Sequence, residues 1–271
     1  MLTATSYGRA RRRAVAVLLT LAASAAAFGC RGPAPDTSAT PSSTTSVASP
    51  TTTPPPRKAT DADDWQVVGM SVQERPIRAR TYGHGPRRVL FIGGIHGDEA
   101  EGAYTTDQLP AAFTDAGLAD AVTLTIIEDA NPDGRAAHTR TNANGVDVNR
   151  NFPARNFDSA NGMPLSEPES RAVKETVDRI NPALVMVAHS WAGRQFINFD
   201  GPARELADRF SQASGLPVEE SSSFAVTPGS LGSYFGRDRG IAVLTIEVLK
   251  GSDPIAVWDK LRPAVLQAIT G

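Results

Sequence analysis

His96 and Glu99 stand three residues apart in Gly93-Gly94-Ile95-His96-Gly97-Asp98-Glu99, and their types suit metal binding. A short apolar run, Val89-Leu90-Phe91-Ile92, leads into them and reads as a buried parallel strand. The glycines then allow a sharp turn where side chains would clash. If a helix starts there, His96 and Glu99 lie one helical turn apart and both side chains aim at one point. An imidazole nitrogen and a carboxylate oxygen converging in this way suit a borderline-soft divalent ion such as zinc. The plainer alternative is a capped helix start beside an ordinary histidine. Only His84, His96, His138 and His189 are available to complete a histidine-based site, and Cys30 is the only cysteine, so a cysteine-rich metal site is excluded.

Two more polar residues sit where chemistry is expected. His189 ends the apolar run 183–188, and Glu247 lies inside the apolar run 241–248. A carboxylate in such a run is costly unless it faces a polar cavity, the alternative being a strand edge open to solvent. The elements that must position these groups alternate. Strands are expected at 65–70, 87–92, 121–128, 183–188, 195–199 and 241–248. Helices are expected at 98–112, from the capping-box sequence Ser166-Glu167-Pro168-Glu169 to 180, at 203–213 and at 254–269. The segment 131–153, rich in Asn, Asp and Gly, reads as a long ordered loop. Alternation of this kind predicts a three-layer α/β domain with a largely parallel sheet, whose ligands gather at the carboxyl ends of the strands.

The first sixty residues read differently. Arg9, Arg11, Arg12 and Arg13 precede an uncharged stretch from Ala14 to Gly29, and Cys30 follows. That is the order of a secretory signal, too short for a comfortable membrane span. Ala27-Phe28-Gly29-Cys30 resembles a lipoprotein processing site, with Cys30 as the lipidated mature N-terminus. Phe28 and Ala27 depart from the usual pattern, and the paired arginines leave a folded-export route open. Residues 31–60 contain twenty Pro, Ser or Thr and a single branched aliphatic, Val47, so a disordered stalk is expected there. The globular domain is expected over 61–271. The formal net charge of −2 argues against a nucleic-acid partner.

The chain resembles the zinc carboxypeptidases of the carboxypeptidase A type, and within them the bacterial murein peptide amidase-like branch. Five segments carry the resemblance in order: Gly94 to Glu99, Asn131-Pro132-Asp133-Gly134, Gly145 to Pro153, Ala188-His189-Ser190 and Thr245-Ile246-Glu247. It implies an α/β/α zinc-carboxypeptidase-like fold with a mixed sheet. It implies one zinc held by His96, Glu99 and His189, with Glu247 as the general base that takes a proton from water. It gives Asn149 and Arg150 the substrate's terminal carboxylate, where the alternative is a pair of residues holding the loop. It gives Arg140 an oxyanion role, for which Arg135 competes. Asp147 would fix the His96 ring, or merely close an Asx turn. Ser190 would line the substrate side. The digestive enzymes carry a mobile tyrosine before the catalytic strand. Here 221–230 contains Phe224 and no tyrosine, Tyr234 comes later, and Leu231 aligns with the floor of the side-chain pocket. His84 reads as a turn residue, and His138 as an exposed loop residue or a substrate contact.

The resulting expectation is a monomeric, exported zinc peptidase, anchored to the outer face of the membrane through Cys30 or secreted. It would cleave an amide bond next to a free carboxylate in peptidoglycan-derived peptides, with the γ-D-glutamyl–diaminopimelate bond as candidate. Two rivals remain at this point: a deacylase of small acylated amino acids, and a non-catalytic wall-associated lipoprotein.

Overall fold

The computed structural model describes residues 65–221 and 227–271. The signal segment 1–30 with Cys30, the stalk 31–60 and Phe224 lie outside the described residues. Among those described, eight strands form one mixed sheet in the order β1-β2-β4-β3-β5-β8-β6-β7. They are β1 (Gln66–Met70), β2 (Pro76–Tyr82), β3 (Arg87–Ile92), β4 (Val122–Ile127), β5 (Leu184–Trp191), β6 (Phe196–Asp200), β7 (Val218–Glu220) and β8 (Ala242–Leu249). The helices are α1 (Ala100–Asp115), α2 (Pro132–Ala137), α3 (Pro168–Ile180), α4 (Arg204–Ser214) and α5 (Pro254–Thr270). This is the expected three-layer α/β arrangement.

The central strands β4, β3, β5 and β8 are parallel to their neighbours in that series, while β1, β2 and β6 join antiparallel. β5 reads Leu-Val-Met-Val-Ala-His-Ser-Trp with its first seven residues buried, because layers cover both faces of the sheet. Its side chains divide by parity. Leu184, Met186 and Ala188 join Phe91, Leu244 and Ile246 in a core covered by α1, α4 and α5. Val185 and Val187 join Leu90, Ile92 and Val243 in a second core under α3, Phe152, Leu231 and Phe235. On that second face the alternating positions turn polar toward the strand ends: Val185, Val187, then His189; Val243, Thr245, then Glu247. The same face that fills a core at one end of the sheet therefore lines a polar cavity at the other.

Several local expectations need correction. The helix expected at 98–112 starts at Ala100, so His96 and Glu99 do not share a helical turn. Glu99 is the N-cap residue, its N–H donates to the His96 carbonyl at 3.3 Å, and its carboxylate caps nothing because it is turned to the histidines. The capping box at Ser166 does not form; Glu167 is the N-cap of α3 without a side-chain cap, and the Ser166 hydroxyl donates to the Glu167 carboxylate at 2.8 Å. The loop 131–153 contains α2 and a 3₁₀ turn, Val148–Arg150. Asn131 accepts the Gly134 N–H and Pro132 sits in the first turn, so this segment caps a short helix where a loop was expected. β2, β7 and a π-helical segment, Gly232–Asp238, were not foreseen.

Gly97 shows how tightly the metal-facing turn is built. A Cβ on it would lie 1.8 Å from the backbone carbon of Gly134, so the turn and α2 are in direct backbone contact. Gly97→Ala should therefore cost about 1–3 kcal/mol, a fall of several degrees in thermal midpoint. Gly193, whose added Cβ would meet nothing nearer than 3.6 Å, serves as control and should change little. Equal midpoints for the two variants in a melting experiment would contradict this packing.

Candidate active site

Three buried ligand groups meet where β3 and β5 end. His96 Nδ1 lies 2.7 Å from Glu99 Oε1, and His189 Nδ1 lies 2.7 Å from Glu99 Oε2. The Ser190 backbone N–H donates to the same Oε2 at 3.1 Å. All three side chains are buried, and one ligand atom from each lies within 4.8 Å of the others. Among the described residues this is the only such cluster of three or more. The turn that carries His96 is braced by the Asn131 segment: the Asn131 N–H donates to the Gly94 carbonyl at 2.9 Å, and its amide to the Ile95 carbonyl at 3.3 Å. Asp133 ties α2 to the β1–β2 turn through Ser71, Gln73 and Arg75. The Asn-Pro-Asp-Gly segment is thus scaffolding for the histidine turn.

Asp147 touches both His96 and the backbone of its own turn. Its Oδ1 accepts from the Asn149 N–H at 2.9 Å, closing an Asx turn, and lies 3.1 Å from His96 Nε2. Its Oδ2 accepts from Arg140 Nε at 3.0 Å. Arg140 also reaches Glu99 Oε1 at 3.3 Å, whereas Arg135 pairs with Asp129 at 3.2 Å and lines a separate cavity with Arg75 and Asp107. Arg140, and not Arg135, therefore stands beside the His96–Glu99–His189 cluster. The Asn149 amide nitrogen lies 3.3 Å from His189 Nε2, and its oxygen accepts the Leu231 N–H at 2.9 Å. Parallel pairing sets Glu247 of β8 beside His189 of β5.

These groups line a cavity of about 410 Å³. His96, Glu99, Arg140, Asn149, Arg150, His189, Ser190 and Glu247 all face it, as does Leu231. Trp191, Asn198, Asp200 and Lys250 line it as well and were not anticipated. No local sequence signal marked Lys250. His138 is an exposed left-handed cap at the end of α2, and His84 pairs on the surface with Asp120; neither is a cavity residue. Tyr234 packs against Phe235 and is also absent from the cavity wall.

The electrostatics follow from burial and mutual charge. Burial alone would raise the Glu99 pKa, but His189 and then His96 outweigh it and hold the carboxyl well below the usual range. Asp147 behaves alike: burial opposes ionisation, and the His96 contact with the Arg140 and Arg150 charges overcomes it. Burial lowers the His189 pKa, yet the Glu99 and Glu247 charges leave it above 6.5. Glu247 is raised, first by burial and further by Glu99, with His189 opposing. Burial also lowers Arg150, against the pull of Asp147 and Glu247.

The donor set fits zinc: two imidazole Nδ1 atoms and one carboxylate, with the far nitrogen of His96 held by a carboxylate. Three protein ligands leave a coordination position open for chemistry.

Comparison with known proteins agrees with this geometry. A family model described as zinc carboxypeptidase matches residues 61–215, more than half of the chain. Murein peptide amidase A of Escherichia coli K12 is 33% identical over 165 residues, covering 54% of this chain and 64% of that protein. Gamma-D-glutamyl-L-diamino acid endopeptidase 1 of Lysinibacillus sphaericus is 25% identical over 248 residues, covering 70% of this chain and 61% of that protein. The crystal structure of murein-tripeptide amidase from Escherichia coli O157 superposes with a TM-score of 0.63 at 26% identity, over 81% of this chain and 97% of that one. The chain thus spans somewhat less than two thirds of the curated relatives it matches.

Zinc affinity should depend on pH through His189. The metal needs a neutral imidazole, and the Glu99 and Glu247 charges, outweighing burial, hold the His189 pKa above its ordinary value, so protons compete as pH falls through the histidine range. At lower pH the apparent affinity should weaken about tenfold per pH unit for each proton the metal displaces. Glu99 is ionised throughout and adds nothing. Competition titration with a zinc indicator checks this; an affinity independent of pH across that range would contradict it.

Proposed function

The chain belongs to the zinc carboxypeptidase family, and from that premise we propose that it hydrolyses murein peptides at an amide bond next to a free carboxylate. The convergence of His96, Glu99 and His189 on one point, with Glu247 in register beside His189 and Arg150 in the same cavity, carries this reading. The names of the murein peptide amidase and diamino acid endopeptidase relatives support the substrate class. The γ-D-glutamyl–diaminopimelate bond is the specific bond proposed.

His96, Glu99 and His189 would hold the zinc, which when bound supplies Lewis acidity toward the scissile carbonyl. Glu247, with a pKa raised by burial, is suited to accept a proton from the attacking water and pass it to the leaving amine. Arg140, half-exposed and anchored on Asp147, is set to stabilise charge developing on the carbonyl oxygen. Arg150 and Asn149 would take the substrate's free carboxylate, the guanidinium by paired N–H donors and the amide by one. Asp147 would keep the His96 ring from rotating.

We also propose that the protein is exported, with Cys30 as lipidated N-terminus, 31–60 as stalk and 61–271 as the catalytic domain. The basic start, the uncharged run and the small residue before Cys30 support this. Fractionation of expressing cells tests it: Cys30→Ala should move the protein from the membrane pellet to the soluble or secreted fraction, and an unchanged distribution would reject the anchor.

For catalysis, Glu247→Gln should bind one zinc per chain and lose about 10²- to 10⁴-fold in kcat. The assay uses murein tripeptide beside its C-terminal amide, which the unaltered enzyme should cleave more slowly. Full activity in Glu247→Gln, or cleavage of acylated amino acids in place of either peptide, would reject the assignment.

A further inference from the structure

The mechanism leaves Lys250, a cation of the cavity wall, without a task. We propose that Lys250 binds a free carboxylate on the acyl side of the scissile bond, so that the enzyme selects a γ-linked glutamyl residue there. The proposal rests on the murein-peptide reading above.

Hydrogen bonding divides the cavity into two walls. On one, Asn149 Oδ1 accepts the Leu231 N–H, and Gly229 packs against the Arg150 carbonyl, where an added Cβ would sit 2.6 Å from the oxygen. This wall holds Arg150. The other is made by the ends of β5 and β8. The Lys250 N–H donates to the Trp191 carbonyl at 2.9 Å, and Ser190 pairs in register with Val248. His189 and Glu247 stand side by side on these same two strands. Besides Arg140, the cavity thus presents two cations, Arg150 on one wall and Lys250 on the other, and with Arg150 assigned to the carboxylate on the leaving side, Lys250 is left for the acyl side.

Lys250 is tied down through its side chain and through the residue that follows it. Its ammonium donates to Asp98 Oδ2 at 2.5 Å, and the next residue, Gly251, donates its N–H to the buried Glu101 carboxylate at 2.5 Å. An ammonium carries three donors, so the Asp98 contact leaves others for a ligand. The Ser190 hydroxyl lines the same wall, is buried, and has no hydrogen-bond partner. The wall therefore offers a positioned cation and an unused hydroxyl, which together suit a carboxylate.

Peptide chemistry says which substrates bring one. In an α-linked peptide the acyl residue's α-carboxyl is itself the scissile carbonyl, so no main-chain carboxylate remains there. In a γ-linked glutamyl residue the side-chain carboxyl forms the bond, and the α-carboxylate stays free a few atoms away. Lys250 would read that group, as Arg150 reads the terminal one.

The test compares two peptides, L-Ala-γ-D-Glu-diaminopimelate and the same peptide with the glutamyl α-carboxyl amidated, using the zinc-loaded enzyme and its Lys250→Met variant. Loss of a charged hydrogen bond predicts a fall of about 10- to 100-fold in kcat/KM for the free acid. The rate on the amidated peptide should stay the same, which brings the two peptides to parity in the variant. Lys250→Arg should recover part of the preference. A variant that slows on both peptides alike, or on neither, would overturn the role and leave Lys250 as a plain ion pair with Asp98. If the unaltered enzyme cleaves neither peptide, the murein reading itself fails and this proposal with it.

Discussion

Glu99 is a carboxylate only 4% exposed, and it stays ionised because two imidazoles and a backbone N–H surround it. Removing a charge from water costs several kcal/mol unless partners replace the solvent. Here the partners come from two parts of the chain: His96, three residues earlier after β3, and His189 and Ser190 at the end of β5. Satisfying this one group fixes the spacing of two parallel strands and the start of α1. It also explains a local oddity, the absence of a side-chain cap at α1, since the residue at the cap position is committed elsewhere. The energetic demand and the chemistry coincide, because the atoms that compensate Glu99 are the ones a zinc ion would share.

Around that centre the fold supplies order from outside inward. The β5–β8 register brings Glu247 next to His189 without any long-range side-chain contact. Asp147 connects His96 to Arg140 and, through the Asx turn, to Asn149 and Arg150. His96, Arg140 and Asn149 are therefore not independent. A disturbance at Asp147 reaches all of them, while one at Leu231 reaches Asn149 through a single hydrogen bond.

Much of this was legible in the sequence, for reasons tied to particular residues. Long apolar runs such as 183–188 declare buried strands, and a histidine or glutamate ending such a run stands out because burial makes it expensive. Helix starts were harder. Glu99 looked like the first turn of a helix, but tertiary partners took its side chain and moved the boundary to Ala100. β2 was missed although Ile77 and Ala79 alternate with arginines, since two buried residues make a faint pattern. The second wall of the cavity was invisible for a different reason. Lys250 and Asp98 lie far apart in sequence, and nothing local marks a lysine as a cavity residue.

Zinc-edge anomalous diffraction from crystals of the zinc-loaded enzyme tests the central claim most directly. The account predicts one ion per chain, about 2.0–2.2 Å from His96 Nδ1, His189 Nδ1 and the Glu99 carboxylate, with Glu247 facing its open side. An ion bound elsewhere, or held through the Nε2 atoms with Glu99 turned away, would contradict it.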